Sequence, residues 1–467
     1  MPLSRCRPLL FVALTGMLAC HSPGLVAQQN PGKAPPMDYL QEITVGPAEA
    51  DVTGTDNRAI QIAVDAVAMR GGGTVRVLPG TYTCHDAVRL HSGVRLVGDR
   101  DRTVLKLAPI VTAKLAADAD IGQKQISPVD AVAFRVGMGV VLRDANKPNE
   151  MACMPLTVTR IENGVLHTGG WIEHDYIATN GATVVTYFPL IHGWEIEDAV
   201  IDGFTVDAKP DKMDGLEGTR SGAVHLSRAK DCAIRNVKAL NCLGDGISFW
   251  QSDRVTVENC ETARNTEYGI HPGSHAPHAV VRGCDIHDNG SDGLYLCWGV
   301  HHGLFEKNVI HGNGGIRHRS GISIGHKDTD NLFVGNHVYG NHKHGVCFRT
   351  KTEANGPHRN TFRENVIENN GCPEEEVPER LRADPRREVL CCGVLIRGVT
   401  HDLLFEKNVI RETREGGKRR QHNAFYIDKN VRRVRLVDNE ISEHPGEKVV
   451  DESGSGDHHL QGLTADE

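Results

Sequence analysis

Between Gly222 and roughly Ser442 the chain repeats itself, and this repeat limits the fold more than any single motif. The segments that open Asp245-Gly-Ile-Ser-Phe, Tyr268-Gly-Ile-His-Pro, Asp292-Gly-Leu-Tyr-Leu, Ser320-Gly-Ile-Ser-Ile and His344-Gly-Val-Cys-Phe align on Gly246, Gly269, Gly293, Gly321 and Gly345, which fall 23–28 residues apart. That spacing belongs to solenoid repeats. A second short strand ending in Asn recurs in each repeat, as in Val255–Asn259, Gly303–Asn308, Leu332–Asn336, Thr361–Asn365, Leu403–Asn408 and Val434–Asn439. Short β-rich pieces with Gly or Asn at the bends, and no helical spacing between them, predict an all-β chain, a right-handed parallel β-helix.

Side chains alternate along a strand, so the repeat also predicts which residues leave the core. Ile247, Ile270, Leu294, Ile322 and Val346 point inward, as do Phe249, Leu296, Ile324 and Phe348. Ser248, His271, Tyr295, Ser323 and Cys347 then form an outward row, which His225 joins from the preceding coil. Row neighbours lie about 4.8 Å apart, one strand spacing. Further along the strand come Trp250, Trp298, His326-Lys327-Asp328 and Arg349. The recurring Asn236, Asn259, Asn308, Asn336, Asn365, Asn408 and Asn439 are expected to stack as amide ladders along the helix axis, a structural role.

Composition fits a solenoid core of stacked aliphatic residues: there are 50 glycines, and aromatics make up 5% of the chain. A net charge of −8 with scattered basic residues argues against nucleic-acid binding. Of the 13 cysteines, Cys242, Cys260 and Cys284 recur near the repeat spacing and are expected to stack in the core. Cys372, Cys391 and Cys392 leave a loop disulfide open, and no metal-ligand spacing appears, so no metal residue is assigned.

Residues 1–27 read as a signal peptide, with Arg5 and Arg7 before the apolar run Leu9–Ala19 and a cleavage site at Leu25-Val-Ala27. Lipidation at Cys20 is an alternative, and either leads to a secreted or periplasmic protein. No later stretch is apolar enough to span a membrane. Residues 28–44 are expected to be a linker, 45–109 an N-terminal cap with the first coils, 110–188 an inserted β-domain, 189–445 the β-helix and 446–467 a disordered tail. Within the cap, Thr55–Met69 has helical periodicity, with Ile60, Val64 and Val67 on one face. The insert is expected to overhang the solenoid and wall a cleft.

The segment Asp56–Gly98, with Gly71-Gly-Gly-Thr-Val, Leu78-Pro-Gly-Thr-Tyr82 and Val94-Arg-Leu-Val-Gly98, resembles the N-terminal cap and first coils of the pectate-lyase-like superfamily. The later coils resemble its repeats. The resemblance implies a polysaccharide-active β-helix but not one reaction, since members include lyases, glycosidases, epimerases and tailspikes. Tyr268-Gly-Ile-His-Pro272 also resembles the Tyr-Gly-x-Asp-Pro-His stretch of mannuronan epimerases, with His271 at the Asp position and Gly273 at the His position.

The outward row carries reagents for removing a proton next to a uronate carboxylate, which needs a base and groups that neutralise the forming enolate. His271, Tyr295 and His326 are candidate bases or acids, and Lys327 and Arg349 candidate carboxylate partners. His225, Trp250, Trp298 and Asp328 are candidate substrate contacts, the two indoles being expected on the surface as stacking platforms for sugar rings. The expected function is a monomeric lyase cleaving an acidic polysaccharide by β-elimination. Two alternatives stay open: a glycoside hydrolase using Asp245 and Asp292, and a carbohydrate-binding module without catalysis. No cofactor is assigned, although Ca²⁺ would suit the acidic stretch Glu195–Glu217, with Glu197, Asp198, Asp202, Asp207, Asp211 and Asp214.

Overall fold

A computed structural model describes residues 42–144, 155–211, 222–382, 391–442 and 444–461. The expected signal peptide, the lipidation position Cys20 and most of the linker lie outside these residues. Three parallel sheets wind into a right-handed β-helix, one of 14 strands and two of 11. We call them the first, second and third sheets, in the order in which the chain visits them within a coil. The first-sheet strand Val94–Val97 pairs directly with Val200–Asp202, so the coils continue across the insert as though it were absent.

The predicted inward residues are the core. Ile247, Ile270, Leu294, Phe249, Leu296 and Phe348 are all fully buried. Scarce aromatics nonetheless contribute a stack of their own: the Phe305, Phe333, Phe362 and Phe405 rings follow one another at 4.7, 4.3 and 5.1 Å. Such offset pairs add about 0.5–1.5 kcal/mol each beyond their buried area.

The bends between sheets are held by amide ladders. Asn308, Asn336, Asn365 and Asn408 each pass Nδ2–H to the next Oδ1 at 2.8–2.9 Å, ending at Asn439. A second ladder, absent from the sequence reading, runs Asn265, Asn289, Asn313, Asn341, Asn370 and Gln421 at 2.9–3.0 Å. Asn236 and Asn259 do not belong to the first ladder. They occupy the preceding left-handed position, with φ of 52° and 54°, leaving Val237 and Cys260 as the buried bend residues. Cys260 and Cys284 share that column, whereas Cys242 heads the second ladder, where its N–H donates to Asn265 Oδ1. Among the described residues, no disulfide joins Cys372, Cys391 and Cys392.

Helix α1 (Asn57–Ala68) is capped by Asp56, whose carboxylate accepts from the Arg58 and Ala59 N–H groups. Its buried Ile60, Val64 and Val67 join the main core. Residues 112–185 form a six-stranded antiparallel sheet with a separate core around Leu115, Phe134, Val158 and Leu166. In the tail expected to be disordered, Val449–Asp451 and His459–Gln461 add strands to the third and first sheets. No described helix is long and apolar enough to cross a membrane.

Asn336→Ala removes the acceptor of the buried Asn308 backbone N–H and one of the two acceptors of Asn308 Nδ2, leaving the other, the Val281 carbonyl. Urea unfolding should show a loss of roughly 2–4 kcal/mol. Asn236→Gly, which keeps the left-handed bend, should cost less than about 1 kcal/mol.

Candidate functional site

The outward row of the third sheet is continuous in register. Arg89, His192, His225, Ser248 and His271 align in successive coils, and Tyr295, Ser323 and Cys347 follow. A parallel row holds Trp194, Ser227, Trp250 and Gly273. His192, Trp194, His225, Ser227 and Trp250 of these rows line, with Ile121, Trp171 and His174 of the insert, a cleft of about 560 Å³, which adjoins His271 through the Trp250 ring.

His271 and His225 leave the core but are not open to solvent, each being 4% exposed. The His271 imidazole is fixed by Asp245, whose Oδ2 lies 2.8 Å from Nδ1. Asp245 is fully buried, so it holds Nδ1 protonated and leaves the lone pair on Nε2. Nε2 has no hydrogen-bond partner, and neither does the buried Trp250 Nε1–H, whose ring centroid is 5.8 Å away. A buried acceptor and a buried donor on two contacting rings match the proton and the lone pair of a single hydroxyl. Only glycine fits at 273, because a Cβ there would lie 2.8 Å from His271 Nε2 and 3.1 Å from Trp250 Cδ1.

Two tyrosines flank the dyad. Tyr268 and Tyr295 stack at 3.8 Å with nearly parallel rings, and each meets the His271 ring edge-on at about 5 Å. Burial pushes the Tyr295 hydroxyl up to about 12, against the pull of Arg349, so it is a proton donor at neutral pH. His225 Nδ1 is 2.7 Å from Ser248 Oγ, which accepts from the Gly222 N–H. Burial and the neighbouring imidazoles push His225 well below its usual range. Burial, with Arg89 nearby, takes His192 down to about 3.

The remaining predicted residues form an adjoining group. Arg349 lies over the Tyr295 ring at 4.4 Å. Its fork is already engaged, Nη1 donating to Ser323 Oγ at 2.8 Å and Nη2 to the Leu296 carbonyl at 2.5 Å. Asp328 is fully buried and accepts from the Val300 and Gly325 N–H groups, which makes it an anchor of the bend. His326 Nδ1 is 3.3 Å from Cys297 Sγ and its ring is 5.4 Å from that of Trp298. Lys327 is exposed on the same bend.

The indoles differ from expectation. Trp298 is 51% exposed, but Trp250 is buried, packed edge-on to His225 at 4.6 Å. The cleft instead presents Trp171 and Trp194, with the Arg228 guanidinium 4.8 Å above the Trp194 ring. The register of Trp194 with Trp250 could have signalled this from sequence; the position of Trp171 on the insert could not. The carboxylates offered for hydrolysis are both committed, Asp245 to His271 and Asp292 to the Ser320 N–H at 2.9 Å. In the acidic stretch, Asp202 and Asp207 accept from Asn236 and Asn241, and Asp211 from the Ile110 N–H. Asp214 lies outside the described residues.

His192 and His225 are neutral in the folded chain and would take up protons near pH 6.5 once unfolded. Their depressed pKa therefore gives stability that is whole above pH 6.5 and lost as pH falls toward 3, by at most about 1.4 kcal/mol per pH unit per group. Urea midpoints measured from pH 7 to 4 should fall, and His192→Asn should flatten the fall.

A family description, right-handed beta helix region, matches residues 221–373. No curated protein matches the sequence. Among solved structures, the A-module of mannuronan C-5 epimerase AlgE6 from Azotobacter vinelandii is 14% identical, with a TM-score of 0.52 over 88% of this chain and 95% of that one. The AlgE4 A-module of the same organism is 16% identical, with a TM-score of 0.42 over 84% of this chain and 74% of that one. The gp54 tailspike of Acinetobacter baumannii bacteriophage AP22 is 14% identical, with a TM-score of 0.39 over 86% and 70%. At these identities the likeness is one of fold. Strand order, core and repeat agree with it, and the chain is a right-handed parallel β-helix protein.

Proposed function

We propose that this is an exported enzyme that acts on a uronic-acid-containing polysaccharide by β-elimination, with the sugar chain lying along the cleft between the insert and the third sheet. The observation that carries the reading is the Asp245–His271 dyad, with its unpartnered Nε2 beside the unpartnered Trp250 Nε1–H. An imidazole oriented by a buried carboxylate is a general base, and such a base contributes about 10²–10⁴-fold to a proton transfer. His271 Nε2 would take the C5 proton, and the electrons would pass into the uronate carboxylate and then form the C4–C5 double bond. As the bond from C4 to the glycosidic oxygen breaks, Tyr295, still protonated at neutral pH, would supply the proton to the departing oxygen.

Arg349 was expected to hold the carboxylate, but its engaged fork suits it better to positioning Tyr295. The Trp250 Nε1–H takes that role in this reading, since Arg228, a cation of the cleft, is itself paired with Glu195. Trp171 and Trp194 offer flat faces for sugar rings. The fold neighbour named as a mannuronan C-5 epimerase belongs to an enzyme class that opens with the same proton removal. The hydrolase reading loses support because Asp245 and Asp292 are engaged elsewhere.

The test is absorbance of unsaturated uronate with alginate, pectate, glycosaminoglycan and ulvan substrates, with and without Ca²⁺. A rising signal is expected on one of them. His271→Ala should lower kcat by about 10³-fold or more, and Asp245→Asn and Tyr295→Phe by at least about 10²-fold. A flat trace with new reducing ends would replace this reading with hydrolysis, and solvent deuterium at C5 without absorbance would replace it with epimerisation. Binding with neither would leave a carbohydrate-binding module.

A further inference from the structure

A second cluster of reactive side chains lies away from the cleft, at the bend between the second and third sheets. His342 follows Asn341 of the second amide ladder, and Cys372 enters the long loop after Asn370 one coil later. That loop makes a short turn at Glu374–Glu376, buries Val377 and continues through a helical turn at Glu379–Arg382. The turn returns Glu376 toward the coil. One ligand atom each from His342, Cys372 and Glu376 lie within 4.8 Å of one another. His318, from the coil before, brings Nδ1 to 3.8 Å from the Cys372 sulfur.

These separations have a chemical meaning. A tetrahedral zinc ion with Zn–S near 2.3 Å and Zn–N near 2.0–2.1 Å holds its sulfur and nitrogen ligands about 3.6 Å apart. His342 Nδ1 is buried and has no hydrogen-bond partner, an arrangement that costs stability unless something fills it. Thiolate with imidazole and one carboxylate is a donor set for Zn²⁺ and unsuited to Ca²⁺ or Mg²⁺. The other His-rich cluster, Glu353, His358 and His401, differs in that both ring nitrogens of His358 are taken by backbone groups.

The geometry points to a site for a thiophilic divalent cation of the zinc type, held by His342, Cys372 and Glu376 with the fourth position left to water, which clasps the loop beginning at Cys372 to the coil stack. This site is separate from the dyad and does not depend on the function proposed for it.

Cobalt substitution reads the thiolate directly. The purified full chain, reduced and stripped with chelator, should bind about one Co²⁺ with a sulfur-to-cobalt charge-transfer band in the near ultraviolet and tetrahedral bands in the visible, displaced by Zn²⁺. Cys372→Ser should abolish the charge-transfer band, and Cys347→Ser should keep it. Glu376→Gln, at an exposed position that the fold tolerates, should weaken Co²⁺ binding at least about tenfold and keep the band. The proposal is overturned if saturating Co²⁺ gives no sulfur band, if the band survives Cys372→Ser in protein with unchanged circular dichroism, or if Glu376→Gln leaves the affinity as it was.

Discussion

The structure depends on the stacking of one bend on the next. Within a coil each short strand makes few contacts, and only the coils above and below supply partners for its backbone. The amide ladders fix this stacking, because an Asn side chain must meet both its neighbours to satisfy its buried donor and acceptor. The residue before each first-ladder Asn is left-handed in every coil from Lys307 to Asp438. One repeated bend therefore sets the register of all three sheets. Residues that the chain separates by a whole coil become close neighbours on a face.

The dyad follows from that register. Asp245 and His271 are 26 positions apart and come from adjacent coils, the carboxylate at the bend and the imidazole on the strand. No local motif joins them. Their burial excludes water from Nδ1 and fixes the tautomer, and only glycine fits beside Nε2 at position 273. Rigid coils thus deliver an oriented imidazole, and the insert supplies the wall that a bare solenoid face lacks.

The sequence made the coil, the inward residues and the outward row from His225 to Cys347 legible, because period-two alternation and a repeated glycine determine them without tertiary information. Exposure was not legible in the same way. Trp250 stands in the outward row yet is buried, since His225, His271 and the insert cover it. The ladder was read one residue out of place at Asn236 and Asn259, where the amide serves the left-handed bend and Val237 or Cys260 takes the interior position. The engagement of Arg349, a candidate carboxylate partner, is hidden in the sequence because its acceptors, Ser323 Oγ and the Leu296 carbonyl, lie on earlier coils. Cys372 and Glu376 showed no metal spacing, as the histidines they meet come from other coils.

The direct pairing of Val94–Val97 with Val200–Asp202 bears on how such a chain can change. Closing that coil spans about 100 residues instead of about 25, and loop entropy grows only logarithmically, so the added cost is roughly 1 kcal/mol. The insert carries its own core and leaves the register on either side untouched. The wall of the cleft can thus be lengthened, shortened or exchanged at small energetic cost while the Asp245–His271 pair stays in place.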